Sequence, residues 1–112
     1  MAAVDSPAMP QAQSYELLAA IAILWPGDNL DVHTHPAPEA WYVLAGEQCL
    51  ETAVGVSRAG AGQMTAAPAA TPMKLVITGS SLRRAFFIVP HDAAQPWIGE
   101  STWQPQGRCN RQ

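Results

Sequence analysis

A chain of 112 residues with a formal net charge of −3 at pH 7 corresponds to a single domain with one core. Its six basic residues are scattered along the sequence, which excludes the basic stripe of a nucleic-acid-binding protein. The apolar run at residues 17–25 is too short to cross a bilayer, and no basic segment typical of a secretory signal precedes it, so we expect a cytoplasmic protein that binds no membrane.

The N-terminal part of the chain divides into an arm and a first strand. Residues 1–14 lack periodicity and carry two prolines and two glutamines, which is typical of a flexible arm. Residues 15–25 have the alanines and leucines of a helix, but the segment is short and ends at a Trp-Pro-Gly sequence that suits a strand entering a turn. We predict a strand, a choice that also depends on the motif beginning at Gly27 that is described below.

The remainder of the chain predicts short strands separated by turns. The predicted strands lie at residues 30–35, 40–44, 48–53, 56–58, 63–66, 73–78 and 82–89. So many short strands indicate an all-β sandwich or barrel. Residues 90–112 contain no clear element, but Trp97 and Trp103 indicate that this tail packs on the barrel. Residues 15–112 are therefore predicted to form one domain.

Residues able to perform chemistry are concentrated between Gly27 and Gly46, in the sequence GDNLDVHTHPAPEAWYVLAG. His33 and His35 share one face of a strand, because alternate side chains point the same way. Glu39 has the same parity, and a bend at one of the intervening prolines can turn it towards both imidazoles. Two imidazoles and a carboxylate suit a divalent transition metal such as Fe, Zn, Mn, Ni or Cu. The alternative is a pair of polar side chains on a strand with no metal.

The same residues carry a resemblance to a known family. Gly27, His33, His35, Glu39 and Gly46 fit the first cupin motif, G-x5-H-x-H-x3-E-x6-G, without a gap. The chain thus resembles the cupin superfamily, and in particular its small single-domain members with a cupin type-2 conserved barrel. The resemblance implies an antiparallel β-barrel of the jelly-roll or double-stranded β-helix type, with a metal held inside by the two histidines and the glutamate.

The second cupin motif, G-x5-P-x-G-x2-H-x3-N, is only partly present. Its positions fall on Gly62, Pro68, Ala70, Met73 and Ile77, so the second glycine, the histidine and the asparagine are replaced. Met73 stands where the resemblance places the last metal ligand. It is either a thioether ligand, which favours a soft ion such as copper, or a core side chain. In the second case three ligands remain, as in the non-haem Fe(II) oxygenases.

Parity also assigns the neighbours of Glu39. Trp41 and Val43 are predicted to face the interior and Tyr42 the exterior. Trp41 then either walls a substrate pocket or belongs to the core, and we favour the core. His91 follows the last predicted strand, where it is either a proton-transfer group at the barrel mouth or a surface-loop histidine, which we favour.

Two further pairs of residues have side chains capable of chemistry. Arg83 and Arg84 are the only adjacent basic residues, and we interpret them as the solvated edge of a strand, with a local anion contact as the alternative. Cys49 and Cys109 lie far apart in the sequence and are predicted to be free thiols, rather than a bridge. Cys49 as a soft metal ligand is a minor alternative.

Composition bears on assembly and on function. Only 13% of the residues are charged, against an average of about 25%, which indicates a homodimer that hides additional apolar surface. The leading functional hypothesis is a small-molecule metalloenzyme, either dioxygenase-like or a Lewis-acid isomerase or lyase. The alternatives are a non-catalytic module that binds a metal or small ligand, and an interaction domain with a vestigial site.

Overall fold

The computed structural model describes residues 11–110, and these residues form an almost purely β structure. The strands are β1 Tyr15–Leu24, β2 His33–Thr34, β3 Glu39–Ala45, β4 Glu47–Thr52, β5 Gly55–Gly60, β6 Met64–Ala67, β7 Lys74–Thr78, β8 Arg83–Asp92 and β9 Gly99–Glu100. A single 3-10 turn follows at Arg108–Asn110. The predicted arm at residues 1–14 lies outside the described residues for its first ten positions.

All strand pairs are antiparallel, which confirms the predicted all-β class. A four-stranded sheet has the order β1-β8-β3-β6, a three-stranded sheet the order β5-β4-β7, and β2 pairs with β9. The core lies between the two larger sheets, because each contributes side chains to one apolar cluster. Its members are Trp41, Leu50, Ala67, Met73 and Leu75. The burial of Trp41 and Val43 on this inner face, with Tyr42 only partly buried, confirms the predicted parity of β3.

The structure confirms that residues 15–25 enter the fold as a strand. Each residue of β1 has a partner in β8, from Tyr15 opposite Asp92 to Leu24 opposite Arg83. Pairing along ten residues satisfies the backbone of β1 and overrides the weak helix preference of its alanines and leucines. The same pairing extends β8 to Asp92, three residues beyond the predicted end at Val89.

The predicted strand at residues 30–35 is shorter in the structure. Only His33–Thr34 is a strand, and the chain before it follows β7 through separate contacts such as the hydrogen bond from Leu30 N to Leu75 O, 3.1 Å long. The partner of β2 is β9, which lies in the tail where no element was predicted. Two residues on each side are too few to produce a visible alternating pattern, so β9 has no recognisable signal in the sequence.

Gly46 makes the tight turn between β3 and β4. Its φ of 74° lies in the left-handed region, and a Cβ at this position would come within 2.4 Å of Leu82 O. Any side chain would therefore force apart the chain segments that meet there. This requirement explains why the motif that contains the two histidines and the glutamate ends on a glycine.

The two cysteines form a disulfide, so the prediction of free thiols, and with it Cys49 as a metal ligand, is wrong. Cys49 is buried in β4, and the Cα atom of Cys109 lies 5.6 Å from its own. The carboxylate of Glu51 accepts hydrogen bonds from Gln106 N at 2.7 Å and Arg108 N at 3.0 Å. The tail folds back onto β4 through these contacts, which sequence distance alone did not reveal.

His91 also differs from its prediction as a surface-loop residue. It belongs to β8, is buried, and its Nδ1 lies 3.0 Å from Asp92 O. Its burial follows from the extension of β8 along the whole of β1.

Among residues 11–110, no helix is long and apolar enough to cross a membrane.

Candidate metal centre

His33, His35 and Glu39 come together in one cluster. Ligand atoms of the three side chains all lie within 4.8 Å of one another. His33 is in β2, His35 follows it directly, and Glu39 begins β3, so the bend at residues 36–38 turns the carboxylate back towards the imidazoles. The two imidazole rings are 4.9 Å apart and nearly perpendicular. This arrangement is the one that the motif predicts.

Both imidazoles are oriented by backbone carbonyl groups. His33 Nδ1 lies 2.8 Å from Asp31 O, and His35 Nδ1 lies 2.6 Å from Trp97 O. Because a carbonyl oxygen only accepts hydrogen bonds, each Nδ1 must carry the proton and donate it. When the ring is neutral, the lone pair of Nε2 is then free to bind a cation. A metal-binding histidine in proteins has the same arrangement, with its second ring nitrogen donating to a fixed acceptor.

The contact between His35 and Glu39 leaves two buried polar atoms without a hydrogen bond. His35 Nε2 and Glu39 Oε1 are 2.7 Å apart, but the geometry is not that of a hydrogen bond and neither atom has another partner. A nitrogen lone pair and a carboxylate oxygen repel each other at this distance unless a proton or a cation lies between them. The pair therefore fits a shared cation well.

The pKa of His35 reflects this contact. Burial lowers the pKa of His35. The contact with the Glu39 carboxylate and the hydrogen bond to Trp97 O raise it by a larger amount, so this pKa lies above its ordinary value of 6.5. A proton on His35 Nε2 occupies the position that a metal ion needs. Protons and metal ions thus compete for this one atom.

The cluster opens into a cavity of about 350 Å³. Apolar side chains form most of its wall, among them Trp41, Leu75 and Phe87. Trp41 also belongs to the buried core cluster, so it has both of the roles that the sequence left open. A small molecule with an apolar body would be held beside the imidazoles and the carboxylate.

Arg83 lies in the wall of the same cavity, and its prediction as part of a solvated strand edge is wrong. Its side chain is 1% exposed, whereas Arg84 on the opposite face of β8 is exposed. Strand alternation could have found this difference, because Arg83 has the same parity as the buried Ala85. The expectation of a solvated pair ignored that adjacent strand residues point to opposite faces.

Met73 is fully buried in the core cluster, and its backbone pairs with His33 through hydrogen bonds of 2.9 and 3.3 Å. The residues lining the cavity do not include it. Its role as a metal ligand stays a prediction.

Trp97 has a clearer place at the site, because its ring stacks on His35 at a centroid distance of 5.3 Å in addition to the carbonyl contact. Sequence reasoning assigned it to packing only, since nothing links a tail residue to His35.

Similarity to known proteins is visible in the fold rather than in the sequence. No protein-family model matches the sequence, and no curated protein matches it. Solved structures do match. A Klebsiella pneumoniae protein with a double-stranded β-helix domain is 15% identical, with a TM-score of 0.66 over 92% of this chain and 85% of that chain. A cupin 2 conserved barrel protein from Salinispora arenicola is 20% identical, with a TM-score of 0.60 over 77% and 72%.

A third similar structure is the DMSP lyase DddQ from Ruegeria pomeroyi. It is 25% identical, with a TM-score of 0.65 over 82% of this chain, which spans 45% of the lyase chain. Together these likenesses show that the chain has the cupin fold, a double-stranded β-helix, as the motif predicts. They assign it no activity.

Proposed function

We propose that the protein binds one divalent transition metal through His33, His35 and Glu39 and acts on a small molecule held in the adjoining cavity. The observation that carries this proposal is the buried contact between His35 Nε2 and Glu39 Oε1, two atoms 2.7 Å apart with no hydrogen-bond partner. Nitrogen and oxygen ligands of this kind suit Fe, Mn, Zn, Ni or Cu. A single cation satisfies both atoms and the remaining imidazole at once.

When bound, such a metal would supply Lewis-acid or redox chemistry in the cavity. The chain's own contribution is orientation and exclusion of water. The carbonyl groups of Asp31 and Trp97 fix the two imidazole rings, and Trp41 and Phe87 present apolar surface to a ligand. The reaction class is proposed as a Lewis-acid isomerisation or lyase step, or as a dioxygenase-like step. The likeness to a lyase is a reason to test elimination first.

A second function has its own supporting observation. Met73 replaces the histidine of the second motif and packs in the core cluster, so a fourth ligand of the usual kind is missing among the described residues. A protein adapted to bind a metal or a small ligand without converting it fits this change. Ligands that raise the melting temperature while no product forms would favour the binding module over the enzyme.

Elemental analysis tests the metal proposal directly. Protein purified without a histidine tag should contain about one equivalent of metal, and His33→Ala should lose most of it. His91→Gln is the matched control, because it removes a buried histidine that is not part of the cluster. Metal content that is unchanged in His33→Ala, or absent from the wild type under every loading condition, contradicts the proposal.

We also propose that the protein is a homodimer formed by the outer face of the β1–β8 sheet. Large apolar side chains are exposed there, namely Leu17, Ile21, Ile23 and Phe86, and Trp25 is exposed directly after β1. Among residues 11–110, β1 pairs only with β8 and is an edge strand, and an antiparallel copy of a strand this poor in charge can lie against it. A copy packed on the outer face covers these side chains, whereas a copy paired along the edge of β1 would extend the sheet and leave them exposed, so the face is the proposed contact.

Light scattering coupled to size-exclusion chromatography measures the mass of the protein in solution and so distinguishes a dimer from a monomer. The wild type should have twice the chain mass, and Ile21→Glu should have one chain mass. Val54→Glu is the matched control, since Val54 is 95% exposed in the turn before β5. A monomeric wild type contradicts the dimer.

The cytoplasmic location stays a prediction, which the disulfide opposes because such bonds are rare in the reducing cytosol.

A further inference from the structure

Arg83 is buried in the cavity wall without a carboxylate partner. Of the lysines and arginines among residues 11–110, it is the one whose side chain is buried. None of the ion pairs formed by the described residues includes it. Burial of a charged group costs several kcal/mol unless the group is paired or well hydrogen-bonded, so a buried guanidinium at a cavity needs a physical reason.

Its hydrogen bonds account for only part of its donors. Nε donates to Gln48 Oε1 at 2.9 Å and Nη1 donates to Ala22 O at 3.3 Å. Gln48 is held in turn, because its Nε2 donates to Thr65 Oγ1 at 3.1 Å. A guanidinium has five N–H donors, so three remain after these two bonds. Two hydrogen bonds thus hold the guanidinium, while its remaining donors at Nη1 and Nη2 have no hydrogen-bond partner among the described residues and the side chain lines the cavity.

The charges around the cavity favour an anion. Glu39 is the acid whose charge acts on Arg83, and the pKa of Arg83 is lowered by burial in spite of it. The Glu39 carboxylate lies against His35 Nε2, 2.7 Å away, and forms no ion pair with Arg83, so it does not neutralise the guanidinium directly. Asp31 also lines the cavity, but its side chain is exposed. A ligand with one negative charge would balance Arg83 from within the cavity.

We propose that Arg83 binds the carboxylate of a small monocarboxylate ligand whose apolar body packs on Trp41, Leu75 and Phe87. The planar fork of a guanidinium matches a carboxylate and can bind it with two parallel hydrogen bonds. The apolar walls supply the remaining contact. This inference rests on the proposed function for the chemistry that follows, but carboxylate binding itself needs no metal.

Isothermal titration of metal-free protein with benzoate and with benzamide tests the inference. The two probes have nearly the same shape and differ in charge, so a site built around Arg83 should bind benzoate at least about tenfold more tightly. Equal affinity for the two probes, or binding of neither, overturns the inference. This comparison within the wild type needs no variant to fold.

Two variants locate the effect. Arg83→Gln should abolish the preference for benzoate, whereas Arg84→Gln, which makes the same change on the exposed face of β8, should retain it. Arg83→Lys should keep the preference at reduced affinity, because it keeps the charge but loses the fork. A preference that survives in Arg83→Gln overturns the inference. Metal content measured on the same samples separates this result from the metal proposal, since either can fail while the other stands.

Discussion

Among residues 11–110 two glutamates are buried, and their carboxylates have contrasting surroundings. Glu51, 1% exposed in β4, accepts hydrogen bonds from two backbone amides of the tail. Glu39, 6% exposed at the start of β3, has one oxygen beside His35 Nε2 with no hydrogen bond. A buried carboxylate with both oxygens bonded is explained by the fold alone. One that faces a nitrogen lone pair at 2.7 Å needs a cation or a proton, and this difference separates structural burial from a binding site.

The tail takes part in both regions. Near Glu51 it is held by a covalent bond between Cys109 and Cys49. Near Glu39 it is held by noncovalent contacts, which are the pairing of β9 with β2, the stacking of Trp97 on His35 and one hydrogen bond. The Glu51 end should therefore determine stability, and the Glu39 end should determine ligand binding. Four predictions test this division, from the largest expected effect to the smallest.

Removal of the disulfide should have the largest effect on stability. Cys49→Ser with Cys109→Ser opens a loop of 60 residues, which should lower the free energy of unfolding by about 4 kcal/mol. Metal content per folded molecule should not change, because neither cysteine belongs to the cluster or lines its cavity. Chemical denaturation and elemental analysis of the double variant measure the two quantities. Loss of metal from molecules that are still folded would show that the two ends are not independent.

Exchange of each glutamate for glutamine should separate the two regions. Glu39→Gln should weaken metal binding by more than about 100-fold, because it removes a charged ligand. Glu51→Gln should leave metal affinity unchanged and lower the free energy of unfolding by about 1–3 kcal/mol, because a carboxylate that holds two amides is lost. Competition with a chelator gives the affinities. The same effect in both variants would remove the distinction drawn above.

The stability of metal-free protein and the affinity for metal should change in opposite directions with pH. In metal-free protein the raised pKa of His35 contributes stability that is fully present below 6.5 and is lost as the pH rises through the folded-state pKa. Metal affinity should instead fall as the pH drops through that same pKa, since protons compete for Nε2. Denaturation and metal titration across this range measure both trends. His35→Gln is the control, and unchanged trends in it would contradict the assignment.

Ala70→Gly should have the smallest effect. Ala70 has a φ of 55° and stands where the second motif has a glycine. The left-handed conformation costs a residue with a side chain about 1–2 kcal/mol, and replacement by glycine removes this cost. About half of the benefit is lost, because glycine has more conformational entropy in the unfolded chain. A rise of about 0.5–1 kcal/mol in the free energy of unfolding is expected. Loss of stability would mean that the hydrogen bond from Ala70 N to His35 O, 2.7 Å long, depends on the methyl group.

Local spacing was enough to predict the cluster but not its surroundings. His33, His35 and Glu39 lie within seven residues, so strand parity and one bend bring them together. The strand at residues 15–24 was predicted through the motif that begins at Gly27, because its alanines and leucines taken alone favour a helix. In contrast, Trp97 reaches His35 from 62 positions along the chain, and Cys109 reaches Cys49 from 60. Such contacts are set by how the tail folds back, which no local pattern records.

Arg83 belongs between these cases. Its parity was available in the sequence, but the cost of burying a guanidinium made a solvated position the natural expectation. The structure offsets part of that cost through Gln48, which is 35 residues away in β4. The hydrogen-bond partners of Arg83, Gln48 in β4 and Ala22 in β1, come together only in the folded protein, so the sequence does not reveal them. A charged residue at an inward-facing strand position is therefore a better pointer to a cavity than its local sequence indicates.

The most direct test of the account is anomalous diffraction from crystals of the metal-loaded protein, recorded at the absorption edge of the bound metal. The account predicts one peak per chain, about 2.0–2.2 Å from His33 Nε2, His35 Nε2 and a carboxylate oxygen of Glu39. A peak elsewhere, or crystals of loaded protein in which these three side chains surround no peak, would contradict it.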